Sequence, residues 1–145
     1  MSTSYEADIV AWANEQAEYL RTGQFHRLDR DHLADEIEDV GKSEQRELAN
    51  RMAVLLAHLL KWQYQPERRG ASWLTTIRIQ RKQVRLGILE APSLQGKLGD
   101  PLWVSRAWSD GVGQAANETG LDCFPEDCPW SIEAEVLKEG WLPDA

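Results

Sequence analysis

Three carboxylates and a histidine on one long helical pattern are the side chains most able to do chemistry. They are Glu36, Glu44, Glu47 and His58. If residues 32–64 form one helix, all four lie on or beside its apolar face. Glu44 and His58 are 14 positions apart, which is about 21 Å of helix, so they cannot share one metal ion. A metal-dependent or acid/base enzyme would need further groups from other helices.

Glu44 falls near the centre of the apolar face, where a carboxylate is costly unless it is paired. Three arginines follow at three-four spacing on one side of the next predicted helix. We therefore expect a buried glutamate–arginine pair that fixes the register of two helices. The alternatives are an acidic functional site, or an exposed Glu44 if the helix breaks. The predicted structural polar cluster comprises Glu44, Glu47, His58, Arg78, Arg81 and Arg85.

The remaining metal-ligating and nucleophilic residues favour structural roles. We expect His58 to be packed and bonded to a neighbouring carboxylate or carbonyl group. Cys123 and Cys128 have no second cysteine pair, so a zinc site is not predicted. Buried thiols are expected, with a redox-sensitive pair as the alternative. No phosphate-binding loop, nucleophile motif or dinucleotide fingerprint occurs, and we predict neither a metal nor another cofactor.

The segment from Lys61 to Arg85 mixes aromatic and basic residues. It carries seven basic side chains and one acidic side chain, whereas both flanking regions are acidic. Such a segment binds single-stranded nucleic acid or phosphate, or it forms cation–π pairs within the fold. Because the net charge is −8, the structural alternative is favoured. The candidate binding residues are Trp62, Tyr64, Arg68, Arg69, Trp73, Arg78 and Arg81.

Helical periodicity dominates the 145 residues, and no alternating strand pattern appears. We predict one all-α domain, residues 1–145, folded as an up-and-down bundle of four main helices and a short C-terminal helix. The expected helices cover residues 5–22, 32–64, 73–90, 101–118 and 132–139. The expected N-caps are Asp31, Ser72, Asp100 and Ser131, and the expected stops are Gly23 and Gly120.

The apolar residues of these helices predict the core. The phase of the long second helix holds through Gly41, which favours continuity with a possible bend. Phe25 and Leu28 are expected to turn inward between the first two helices. The predicted inner positions are Ile9, Trp12, Ala13, Gln16 and Leu20; Leu33, Ile37, Val40, Leu48, Met52, Leu55, Leu59 and Trp62; and Leu102, Trp103, Ala107, Trp108, Val112 and Ala115.

Five stretches resemble a known family. They are EIEDVGKSE (36–44), HLLKWQYQPERR (58–69), SWLTTIRIQR (72–81), ETGL (118–121) and FPEDCPWS (124–131). In this order they resemble the bacterial family called domain of unknown function 29. The resemblance implies a small all-α protein over nearly the full length, and it implies no particular activity. The glycine-rich QGKLGDP and SDGVG segments differ from the more charged helix typical of that family.

The hypothesis best supported by these patterns is a non-enzymatic helical module that binds another protein or itself. Seven tryptophans and the segregated charge motivate it. The alternatives are an enzyme using the carboxylates and His58, and a nucleic-acid or phosphate binder using residues 61–85. No apolar run approaches the roughly 20 residues of a membrane span, and the N-terminus lacks the features of a signal peptide. We therefore expect a cytoplasmic protein that does not enter membranes.

Overall fold

The computed structural model describes residues 3–144, and within them the chain is all-α, without strands. This confirms the predicted fold class. The four α-helices are α1 (Ile9–Arg21), α2 (Arg30–Tyr64), α3 (Ala71–Glu90) and α4 (Pro101–Thr119). Short 3₁₀ segments cover Phe25–Arg27, Pro66–Arg68 and Pro92–Gly99, and a single π-helical turn covers Ile132–Val136. None of the helices described is long and apolar enough to cross a membrane.

The described chain divides into two compact units, with the boundary between Ser43 and Glu44. In the first unit, Trp12 and Gln16 form the buried face of α1. The Gln16 side chain accepts a hydrogen bond from the backbone of Asp29 at 2.7 Å. The helix starts later than predicted, because Asp8 caps it. It ends as predicted, with Gly23 in the left-handed conformation at φ 76°.

Several apolar residues of the first unit were wrongly expected to be inside. Ile9 and Leu20 are about half exposed, and Phe25 is 64% exposed. On α2, Ile37 and Val40 are 71% and 66% exposed. Periodicity shows which residues share a face of a helix, but it does not show over what length that face is covered.

Helix α2 is continuous through Gly41, as predicted. It begins at Arg30, two residues earlier than a cap at Asp31 would allow, so that predicted cap is wrong. Asp29 precedes it, accepting a backbone hydrogen bond from Leu33 at 2.9 Å, and Asp31 lies in the first turn. All the buried residues of α2 lie between Leu48 and Lys61. The fully buried face of α2 therefore lies in the second unit.

The core of the second unit is built on that half of α2. Its fully buried large side chains come from α2, α3, α4 and the π-helical turn: Met52, Leu55, Leu56, Leu59, Leu60, Ile77, Val84, Trp108 and Val136. Helix α4 approaches α2 closely at Gly111. A Cβ atom there would lie 3.0 Å from the Leu56 Cβ and 3.1 Å from the Ala53 carbonyl oxygen. The glycine thus permits a contact that a larger residue would prevent.

The ends of the remaining helices test the predicted caps. Asp100 caps α4 with a 3.1 Å bond from the Leu102 backbone, and Gly120 ends it at φ 74°; both predictions are confirmed. Helix α3 is capped by Gly70 without a side-chain bond, so the prediction for Ser72 is wrong. Ser72 already lies inside the helix. Leu102, predicted to face inward, is 62% exposed.

The C-terminal segment packs against the core of the second unit. Ser131 accepts a bond from the Ala134 backbone, as expected for a cap, but the helix behind it is a single π turn rather than residues 132–139. Trp130 contacts Trp108 and Trp141 edge-on, with ring centroids 5.4 and 5.6 Å apart. Trp141 and Leu142 pack on the core, so the end of the chain folds back onto it.

Candidate functional site: a basic and apolar groove along α3

Glu44 is exposed, so the prediction of a buried carboxylate is wrong. No ion pair within residues 3–144 joins it to Arg78, Arg81 or Arg85. Glu47 instead pairs with Arg51, one turn along the same helix, at 2.7 Å. The physical reason is that no other element covers the middle of α2, where residues 37–47 are all exposed. The predicted polar cluster is therefore not assembled.

His58 is half-buried, and its Nδ1 lies 2.9 Å from the Val54 carbonyl oxygen. Burial lowers the pKa of His58, and the bond to Val54 opposes that shift. Glu44 and Glu47 line a small cavity of about 90 Å³ that does not include His58. In the part of the chain that the structure describes, no three His, Cys, Asp or Glu side chains are arranged to hold a metal.

The aromatic and basic residues after α2 contact one another. Arg69 donates to the Trp62 carbonyl at 2.6 Å, and its guanidinium lies 5.2 Å from the Trp62 ring centroid. The buried Lys61 ammonium is paired with Glu118 and lies 5.3 Å from the Trp73 ring centroid.

Other residues of this segment divide between packing and solvent. The Tyr64 ring packs edge-on against Phe124, with centroids 5.1 Å apart. Arg68 is exposed. The candidate binding residues Trp62, Tyr64, Arg69 and Trp73 thus take part in contacts within the chain.

The two cysteines are free thiols. Cys123 is exposed, so the expectation of a buried thiol is wrong there. Cys128 is half-buried and donates to the Trp130 carbonyl at 3.4 Å, and burial raises the pKa of its thiol.

Two arginines of α3 hold the C-terminal segment. Arg81 is only 5% exposed, and it donates to the Val136 carbonyl at 2.8 Å and to the Trp141 carbonyl. Arg85 donates to the Leu137 carbonyl. Burial, together with the nearby charge of Arg85, lowers the pKa of Arg81. Because the acceptors are neutral carbonyls, these bonds position the guanidinium groups without cancelling their charge. Backbone carbonyl acceptors leave no motif in a sequence. The sequence analysis therefore paired these arginines with a carboxylate, Glu44, instead.

The space between α3 and the C-terminal segment forms two adjoining cavities, of about 460 and 640 Å³, which share Arg85 and Glu139. We call the pair the α3 groove. Apolar side chains line both ends, with Leu74, Ile77 and Leu142 in one cavity and Ile88, Leu89, Leu98 and Leu137 in the other. Five basic side chains line the groove, against two acidic ones, Glu133 and Glu139. The five are Arg78, Arg81, Lys82, Arg85 and Lys138.

The groove thus brings together two of the predicted binding residues, Arg78 and Arg81, and leaves the other five outside its lining. Lys82 was not among the predicted site residues. Its spacing of four from Arg78 was the available signal, because residues four apart share a helix face.

The family model for domain of unknown function DUF29 matches residues 4–142 of the chain. The chain belongs to the DUF29 family. This confirms the resemblance drawn from the five sequence stretches. The comparisons found no curated protein and no solved structure that matches this DUF29 chain.

A second polar cluster of the DUF29 chain lies within its first unit and centres on His32. The imidazole lies 2.7 Å from Asp29 through Nδ1 and 3.1 Å from Glu6 through Nε2. Tyr5 stacks on the ring, with centroids 4.2 Å apart, and donates to Glu36 at 2.5 Å. The spacing of three between Asp29 and His32 was a sequence signal for this pair, although no motif indicated the other two partners.

The hydrogen bonds in this cluster shift the pKa values of three residues. The hydrogen bond to Asp29 raises the pKa of His32, and the same bond lowers the pKa of Asp29. The bond to Glu36 raises the pKa of Tyr5 to about 12. The Trp12 indole also donates to Asp29 at 3.0 Å. These contacts join the residues before α1 to the start of α2, which is a stabilising role.

Proposed function

We propose that the protein is a non-enzymatic module that binds other proteins through the α3 groove. The observation that carries the proposal is the composition of the groove: apolar at both ends and basic in between, in a chain of net charge −8. Such a surface suits a segment that presents apolar anchors beside carboxylates. The two free thiols fit a reducing compartment such as the cytoplasm of a bacterium.

The dimensions of the groove suit a helical partner. Its lining on α3 extends from Leu74 to Leu89. Fifteen residues of helix measure about 22 Å, which accommodates about four turns of a second helix. An amphipathic helix lying along it would place apolar side chains against Leu74 and Leu89 and carboxylates beside Arg78 and Lys82.

Binding of single-stranded nucleic acid is the second candidate, and the excess of basic residues supports it. Bases, however, bind such surfaces largely by stacking on aromatic rings. Among the described residues, no tryptophan, tyrosine or phenylalanine lines the two cavities. This argument favours the protein partner.

The test is fluorescence anisotropy with two labelled model peptides. Both are amphipathic helices with leucine at three-four spacing; one carries glutamate beside the leucines and the other carries lysine. We expect the acidic peptide to bind at least about tenfold tighter, a difference of roughly 1.4 kcal/mol. A labelled oligothymidylate measured at low salt tests the alternative. Tighter binding of the oligonucleotide, or no preference between the peptides, would contradict the proposal.

Two matched variants locate the binding surface. Arg78→Glu with Lys82→Glu reverses two exposed charges of the groove and should abolish the preference for the acidic peptide. Arg46→Glu with Arg106→Glu makes the same change at exposed positions outside it and should leave the preference intact. Equal losses in the two variants would show a general charge effect rather than a site.

A further inference from the structure

The segment DEIEDV (35–40) of α2 carries the features that the α3 groove requires of a partner. Ile37 and Val40 are 71% and 66% exposed and lie three residues apart on a formed helix. Four carboxylates accompany them: Asp35, Glu36, Glu38 and Asp39. We infer that this segment of one copy of the chain docks in the α3 groove of a second copy. The inference rests on the proposed function and names the partner of the same site.

The apolar part of the argument is the exposure of two aliphatic side chains. Burying a valine or isoleucine side chain contributes about 1.5–3 kcal/mol relative to leaving it in water. Since the segment is already helical in the free chain, docking carries little of the ordering cost that a disordered peptide pays. The pair Ile37 and Val40 therefore suits either apolar end of the groove as an anchor.

The electrostatic part is the opposite charge of the two surfaces. Within residues 3–144, Glu38 is the only one of the four carboxylates in an ion pair, with Lys42 at 4.0 Å, and Glu36 accepts a hydrogen bond from Tyr5. Arg78 and Lys82 of the groove are exposed and make no ion pair in the same range. Complementary potentials of this kind set the partner and the register of an interface.

The contact joins two different surfaces of the chain. Two copies that exchange it reciprocally form a closed, isologous dimer, whereas a head-to-tail contact is heterologous and builds a ring or an open series. Both assemblies depend on the same pair of surfaces. Charge reversal at either surface is therefore expected to block both of them.

The experiment is size-exclusion chromatography with light scattering on three pairs of substitutions. The segment variant carries Glu38→Lys and Asp39→Lys, and the groove variant carries Arg78→Glu and Lys82→Glu. The control variant carries Glu126→Lys and Asp127→Lys, two exposed carboxylates outside both surfaces. We expect the wild type and the control to associate in the micromolar range. The segment variant and the groove variant should each be monomeric when studied alone.

An equimolar mixture of the segment and groove variants provides the sharper measurement. The basic groove of the segment variant meets the acidic segment of the groove variant, so association should return. Ile37→Ser with Val40→Ser removes the apolar anchors but keeps the basic groove. This variant should be monomeric alone and with the segment variant, and it should associate with the groove variant. Unchanged far-UV circular dichroism establishes that each variant is folded.

Two results overturn the inference: a monomeric wild type throughout the micromolar range, or a mixture that stays monomeric. In either case, binding of the acidic model peptide decides whether the proposed function also fails. If the acidic model peptide still binds the groove, the partner is another protein and the proposed function stands. If neither the peptide nor a second copy binds, both proposals are wrong.

Discussion

At the scale of single residues, the His32 cluster makes stability depend on pH. Its bond to Asp29 raises the pKa of His32, so this contribution is fully present below the ordinary histidine pKa of 6.5 and is lost as pH rises through the raised value. The pKa of Asp29 is lowered, so its contribution is lost only as pH falls through that lowered value. The cluster therefore stabilises the first unit most under mildly acidic conditions.

We predict that His32→Gln lowers the melting temperature more at about pH 5.5 than at about pH 8.5. Circular dichroism melts of wild type and variant at both pH values measure the difference. His26→Gln replaces an exposed histidine and serves as the control, with no comparable pH trend expected. A penalty for His32→Gln that is the same at both pH values would show that the paired imidazolium is not what stabilises the unit.

At the scale of elements, Arg81 determines how α3 holds the C-terminal segment. Removing a buried charged donor leaves two carbonyl groups without their bonds, at roughly 1.5–3 kcal/mol for each bond to a charged group. We predict that Arg81→Ala lowers the free energy of unfolding by about 3–6 kcal/mol in urea titrations and speeds proteolysis of the residues that follow Leu137. Arg81→Lys should restore little of this, because an ammonium cannot reproduce the planar fork. Full recovery with lysine would show that charge alone matters.

Helix α4 contains two glycines that should respond in opposite directions. Gly113→Ala meets no atom within 4 Å and should raise the free energy of unfolding by about 0.5–1 kcal/mol through helix propensity. Gly111→Ala places its Cβ against Leu56 and the Ala53 carbonyl, neither of which can rotate away, and should cost about 1–3 kcal/mol. Urea unfolding of both variants measures the contrast. A stabilising Gly111→Ala would mean that α2 and α4 separate easily.

The elements also show what the sequence could and could not predict. The caps of α4 were predictable because Asp100-Pro101 and Gly120 act through local backbone geometry. The exposure of Ile37 and Glu44 was not, because it depends on which half of α2 is covered by other elements. The groove could not be predicted either, because it too depends on which elements pack together. It depends on the return of residues 132–142 to α3, and Arg81 and Arg85 hold those residues through carbonyl acceptors that any sequence supplies.

At the scale of the whole molecule, the two halves of α2 should differ in local stability. Every buried residue of this helix lies between Leu48 and Lys61, and amide protection follows local packing. We predict that amides of residues 34–42 exchange at least about 100-fold faster than those of residues 52–60, a difference of roughly 2.7 kcal/mol. Hydrogen exchange followed by mass spectrometry measures both segments in the intact chain. Equal protection in dilute solution would contradict the prediction.

The concentration dependence of the same exchange separates intrinsic stability from association. Local opening within one chain is independent of protein concentration, whereas docking of residues 35–40 in the α3 groove of a second copy follows mass action. Protection of this segment should therefore rise with concentration in the wild type and stay constant in the groove variant. The segment from Leu48 to Lys61 should change little in either protein, because its protection comes from the core. Rising protection confined to the segment and the groove would locate both sides of the contact in one measurement.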